Sequence, residues 1–126
     1  KIQTEVSNYY LTIDEIKYIS SLGFEIGSHG VSHSVMSRLS CDEQFAELDQ
    51  SKKFLENLIQ KPVTSFCYPY GRRNSYDEIT LDLLRKTNFH NAVSVESRDI
   101  IKDDVVNKIY ELPRYDCNEI GNLINK

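Results

Sequence analysis

A chain of 126 residues is the length of one domain, large enough to bury about two-thirds of its unfolded surface without covalent staples. Its net charge of −4 has the signs interspersed, and its basic pairs, Lys52-Lys53 and Arg72-Arg73, are short. That argues against nucleic acid and anionic membrane as partners, since both require a concentrated basic surface.

No apolar run approaches the ~20 residues of a membrane span and none reads as a signal peptide; the chain opens at Lys1 without a methionine, so a leader or upstream segment is expected to precede it. The 3 cysteines are far apart and odd in number, so they make neither a disulfide framework nor a CxxC metal site. Thr12 with Glu15 makes a capping box, and Ile13, Ile16, Ile19 and Leu22 recur at near-helical spacing, which predicts a helix over 12–22. Gly23 is its expected stop, because the position after a helix favours a left-handed backbone. Phe24 to Ser28 reads as a short strand. Ser40 and Glu43 form a second capping box ahead of the longest helix, about 41–60. Its apolar stripe is Phe45, Leu48, Leu55, Leu58 and Ile59, with Glu47, Asp49, Lys52, Lys53 and Glu56 around it. Pro62 prevents continuation.

Val63 to Tyr68 reads as a second strand, closed by the breaker Tyr68-Pro69-Tyr70-Gly71. Ser75 and Glu78 repeat the capping pattern before a third helix with Ile79, Leu83 and Leu84 on one face and Asn88 near its stop. Asn91 to Val95 is a third strand, 96–107 a charged loop, and Ile109 to Leu112 a fourth strand. A last short helix starts near 117 with Asp116 as N-cap. Short strands alternating with helices imply right-handed crossovers and a parallel sheet. In such folds ligands collect at the C-terminal ends of the strands. His29 to His33, Tyr68 to Arg73 and Arg114 to Asp116 each follow a strand, so three strand ends converge on one rim.

Two of the 3 histidines, His29 and His33, stand four residues apart at one of those ends. Spacing alone serves a polar loop as well as a metal site; the position after an apolar strand, with Ser28, Gly30 and Ser32 interleaved, favours ligation. Neutral ligands leave a dication poorly compensated, so a third, anionic ligand is expected. Simpler roles are assigned elsewhere. His90 is a cap or loop residue, Arg72 and Arg73 are solvated, Asp116 is an N-cap, and Ser28 and Ser32 form turns. Tyr9, Tyr10 and Tyr68 suit sugar stacking and half-burial equally. Cys67 as a nucleophile ranks last, since burial raises a thiol's pKa.

The stretch Glu25-Ile26-Gly27-Ser28-His29-Gly30-Val31-Ser32-His33, the following Leu39-Ser40, and Phe66-Cys67-Tyr68-Pro69-Tyr70-Gly71 resemble the second and third motifs of the polysaccharide deacetylases, the NodB-homology group or carbohydrate esterase family four. The Lys61-Pro62-Val63 lead-in and the later Leu112-Pro113-Arg114 fit in order and spacing, and the resemblance runs from about Tyr10 to Asp116. It implies an α/β chain forming a partial or distorted (β/α) barrel with parallel strands, in a single domain over 1–126. It also implies a divalent metal held by two histidines and an aspartate, and hydrolysis of N-acetyl groups on an amino-sugar polysaccharide or oligosaccharide. Carried over by position, His29 and His33 are the metal ligands. The backbone amide of Tyr70 meets the oxyanion, Pro69 and Tyr70 shape the acetyl pocket, and Arg114 orients a carboxylate. Zinc is the expected ion, since it suits imidazole. A cell-envelope or secreted location follows from the resemblance alone.

The sequence departs from the family pattern in several places. The Thr-Phe-Asp-Asp-Gly motif, with the general base and the third metal ligand, is expected upstream of residue 1. The later motif with an acid histidine is absent after Asp116. Gly30 stands where a Ser or Thr is usual, and Cys67 where arginine is frequent. The chain is therefore read as a portion truncated at its N-terminus. The alternative is a shortened, non-catalytic glycan- or metal-binding module, with a homodimer covering the open barrel edge.

Overall fold

The computed structural model describes residues 10–119. Four backbone segments run parallel and pair in chain order. Ser28 bridges to Phe66, β1 (Ser65–Cys67) pairs with β2 (Asn91–Val93), and Val93 bridges to Leu112. The β1–β2 register sets Phe66 opposite Ala92, both buried. Neighbours that follow sequence order, without the reversal of a doubly wound sheet, describe one arc of a (β/α) barrel. Among the described residues the arc is open.

Two predicted strands shrink to single bridges. In 24–28 only Ser28 pairs with β1 through its backbone, its N–H donating to Ser65 O at 2.9 Å and its carbonyl accepting from Cys67 N at 2.8 Å. Phe24 is 65% exposed, so the run lacks the burial that would extend a ladder. In 109–112 the chain turns on itself, Glu111 N–H donating to Lys108 O at 2.8 Å, before Leu112 N–H reaches Ala92 O at 3.0 Å.

The helices α1 (Ile13–Ser21) and α2 (Cys41–Ile59) start at the expected capping boxes of Thr12 and Ser40. Gly23 has φ +92°, the left-handed stop expected of it. A one-turn 3₁₀ segment, Met36–Arg38, precedes α2. Helix α3 (Glu78–Lys86) uses another cap than the one expected: Asp77 accepts from Thr80 N–H at 2.9 Å, whereas Ser75 Oγ donates to Arg72 O at 2.7 Å. The tertiary partner decides this, because buried Thr80 also donates to Gln44 Oε1 on α2 at 2.6 Å.

The expected loop over 96–107 contains a helix, α4 (Lys102–Asn107). Asp104 organises it. This buried carboxylate takes a fork from Arg98 at 2.6 and 2.8 Å and accepts from Ile101 N–H at 2.9 Å. The ion pair joins residues six apart, Arg98 before the helix and Asp104 within it, a contact that hydrophobic periodicity does not register, and α4 therefore escapes it. At the C-terminal end, Asp116 does cap, accepting from Asn118 N–H at 2.9 Å, and residues 117–119 are helical. The rest of that expected helix lies outside the described residues.

The core lies between the sheet and α2–α3, around Leu48, Val63, Phe66, Leu84, Phe89 and Ala92. Tyr68 belongs to it rather than to a sugar-stacking surface. It is fully buried, stacked on Tyr76 at 4.0 Å between centroids, and its OH donates to Tyr110 O at 2.7 Å. Tyr10 is exposed and Tyr9 lies outside the described residues. The stripe of α2 is also partly revised. Leu48 is buried, Leu55 and Ile59 pack beside the core, and Phe45 is exposed. Lys52 lies over the Phe89 ring at 4.5 Å with its ammonium on the carbonyls of Val63 and Asn88, so it is no solvated neighbour of the stripe.

Leu48→Ala is expected to lower unfolding free energy by about 2–5 kcal/mol in urea titrations, and Phe54→Ala, at a position 56% exposed, by no more than about 0.5 kcal/mol. The Arg98 fork and the Ile101 amide hold the Asp104 carboxyl well below the usual carboxylate range. Its stabilising contribution is therefore complete above the unfolded value of about 4 and is lost as pH falls through the lower folded value. Amide exchange across α4 should accelerate in strong acid, and Asp104→Asn should remove that pH dependence.

Candidate functional site

The stretch from Ser28 to His33 leaves the C-terminal end of its bridge as a tight loop. Gly30 at φ +79° and His33 at φ +57° take left-handed backbones, and the turn so formed folds the chain back. The two imidazoles are brought together, with centroids 4.9 Å apart and ring planes at 66°. His29 Nδ1 lies 2.7 Å from Cys67 O. A carbonyl can only accept, so Nδ1 is the donor in this bond and Nε2 is the ring nitrogen left for another partner. A metal-binding histidine uses this second bond to fix its tautomer.

The loop is anchored from below. Ser28 Oγ, buried, is 2.7 Å from Ser51 Oγ, which donates to Glu47 O at 2.6 Å. The Glu47 carboxylate accepts from Val31 N–H at 2.7 Å, Ser32 N–H at 2.9 Å and Ser32 Oγ at 2.6 Å. Burial tends to raise its pKa, but these bonds from Ser32 and Val31 outweigh burial and leave it lowered. Glu47 therefore does more than flank the apolar stripe of its helix, and Ser28 and Ser32 do more than form turns. A signal did exist for Glu47. Gln44, Glu47, Leu48 and Ser51 share one side of α2, so polar residues there interrupt an apolar stripe at helical spacing.

The second strand end adds the Pro69-Tyr70-Gly71 turn. Pro69 is buried, Tyr70 has φ +64°, and Gly71 N–H donates to Pro69 O at 2.8 Å, closing a three-residue γ-turn. The Tyr70 ring lies 5.0 Å from the His33 ring, so the turn and the histidines adjoin. Its backbone N–H makes no hydrogen bond among the described residues, although a backbone donor is normally paired. Gly71 is required where it stands: a Cβ there would fall 2.7 Å from Val95 Cγ1.

The third strand end supplies Arg114, whose Nε donates to Ser94 O at 2.9 Å and whose N–H donates to Glu96 O at 3.0 Å. A cleft of about 720 Å³ opens beside Tyr70, lined by Arg72, Arg73, Glu96 and Asp116. Arg73 is engaged with Glu111 at 3.5 Å and Glu78 at 3.9 Å. Burial pushes the Cys67 thiol up, with Arg114 only partly opposing, which disfavours a thiolate nucleophile. His90 is exposed and immediately precedes β2, its N–H on Thr64 O at 2.7 Å.

The donor set fits half a divalent-metal site. Two adjacent imidazoles match the nitrogen ligands of zinc centres, which take at least three protein ligands. No group of three or more His, Cys, Asp or Glu side chains is gathered among the described residues. No helix among them is long and apolar enough to cross a membrane.

The sequence profile of the polysaccharide deacetylase family matches residues 2–92. A Bacillus subtilis protein assigned to the polysaccharide deacetylases, YxkH, is 32% identical over 88 residues, which is 70% of this chain and 30% of that protein. A Streptococcus pyogenes deacetylase, PplD, solved in complex with acetate, superposes with a TM-score of 0.74 at 26% identity, over 83% of this chain and 44% of that one. A Bacillus cereus polysaccharide deacetylase superposes with a TM-score of 0.73 at 24% identity, over 83% of this chain and 32% of that one, and attests the fold. The chain thus spans less than half the length of each of these relatives.

Gly71→Ala places a Cβ at φ +63° against Val95. It is expected to cost about 1–3 kcal/mol in urea unfolding and to speed exchange of the Val95 amide, which is bonded to Gly71 O.

Proposed function

The chain belongs to the polysaccharide deacetylase family, and on that premise we propose that it carries the histidine pair and the oxyanion turn of a metal-dependent hydrolase that removes N-acetyl groups from an amino-sugar polysaccharide of the cell envelope. The observation that carries this reading is the meeting of the His29 and His33 rings, 4.9 Å apart, beside the Tyr70 turn. His29 and His33 would hold the divalent ion, zinc by the preference of imidazole nitrogen. When bound, such an ion acidifies water and polarises an amide carbonyl.

The remaining roles belong to this chain. Hydrogen bonding to Cys67 O engages Nδ1 of the His29 ring and leaves Nε2 as the nitrogen for a ligand. The Tyr70 N–H, without a partner among the described residues, is available to donate to the oxygen that gains charge as the amide carbon becomes tetrahedral. Buried Pro69 and the exposed Tyr70 ring form the wall against which an acetyl methyl would lie. Arg114, held by the Ser94 carbonyl, retains further N–H donors to orient a carboxylate.

The test is metal content of the purified chain beside His29→Ala. Zinc bound by the parent and lost at least about tenfold in affinity by the variant supports the assignment; equal metal in both overturns it.

A further inference from the structure

We propose that Glu47 is the positioning residue of the histidine loop: its carboxylate, by binding the backbone between the two imidazoles, sets their separation and thereby the loop's affinity for a divalent ion. The inference rests on the metal reading above for its ligand, and on geometry for the rest. The loop must hold two non-regular backbone positions, Gly30 at φ +79° and His33 at φ +57°, on one side and the other of Val31 and Ser32. Those two residues present N–H groups that no helix or strand satisfies. One oxygen of Glu47 takes both, at 2.7 and 2.9 Å, and the other takes the Ser32 hydroxyl at 2.6 Å. Bonds from neutral donors to a charged acceptor are among the stronger ones in proteins.

Gly30 and Glu47 are fitted to one another. A Cβ at residue 30 would lie 2.8 Å from Glu47 Oε2, so glycine is what admits the carboxylate under the loop. Glu47 itself sits on the rigid middle of α2, one residue before fully buried Leu48, and its own carbonyl is bonded by Ser51, which also holds Ser28. The helix therefore grips the loop at Ser28, before the first histidine, and at Val31 and Ser32, before the second. Among the described residues no hydrogen bond or ion pair joins Glu47 to either imidazole, so it acts through the backbone.

The experiment compares the parent chain with Glu47→Gln and Ser32→Ala, using cobalt(II) titration followed by its visible absorption, with circular dichroism and thermal melting as the check on folding. Glu47→Gln keeps the side-chain shape but sets an uncharged amide against two N–H donors. It is expected to remain folded and to bind cobalt about tenfold more weakly. Ser32→Ala, which removes one of the three bonds, should give a smaller loss in the same direction. A folded Glu47→Gln with the parent's affinity overturns the proposal. If Glu47→Gln does not fold, Ser32→Ala decides: weaker binding supports it and unchanged binding overturns it. A parent that binds no cobalt removes the metal reading and leaves Glu47 to be judged on histidine geometry. Ring-to-ring nuclear Overhauser contacts between His29 and His33 should then be present in the parent and lost in the variant, and their retention overturns the proposal.

Discussion

Parallel pairing is the constraint on which this structure depends. Strands that run the same way cannot be joined by a hairpin, so each pairing here is bridged by a helical crossover. The same constraint places every C-terminal strand end on one rim. The bridge at Ser28, strands β1 and β2, and the bridge at Leu112 are consecutive neighbours, and the segments that leave them carry His29 and His33, Pro69 and Tyr70, and Arg114. Residues up to 85 positions apart in sequence reach a common edge because the backbone has only one direction in which to run.

Above that rim the local backbone is non-regular, and the layers below hold it in place. Among the described residues four non-glycine positions take positive φ, and two of them, His33 and Tyr70, adjoin across the site. Such conformations persist only where surroundings over-determine them. At His33 the surroundings are the polar side of α2, with Glu47, Ser51 and the sheet-borne Ser28. At Tyr70 they are the buried Pro69 ring and the close approach of Gly71 to Val95. Polar residues on the inward side of α2 sacrifice some apolar burial and hold the loop in exchange. Gln44 does the same between α2 and α3 through Thr80.

The family's pattern and the geometry here also explain one another's departures. A glycine at 30, where a hydroxyl residue is usual, leaves the space that the Glu47 carboxylate fills. Cysteine at 67, where arginine is frequent, serves the site through its carbonyl, which binds His29, while its thiol is held protonated by burial.

Local sequence determined those features whose cause is local. The capping boxes at Thr12 and Ser40, the glycine stop at 23, the proline break at 62, the alternation of helix with short strand, and the histidine and proline-tyrosine motifs at strand ends could all be read directly, because each depends on residues within a turn or two of one another. Tertiary structure decided the rest. Asp77 displaced Ser75 as the cap of α3 because Thr80 found Gln44, and Tyr68 went into the core, where its hydroxyl reaches Tyr110. Glu47 moved from a place beside the apolar stripe to the floor of the histidine loop for the same reason. Its partners, 15 and 16 residues away, become neighbours only when the helix packs against the sheet.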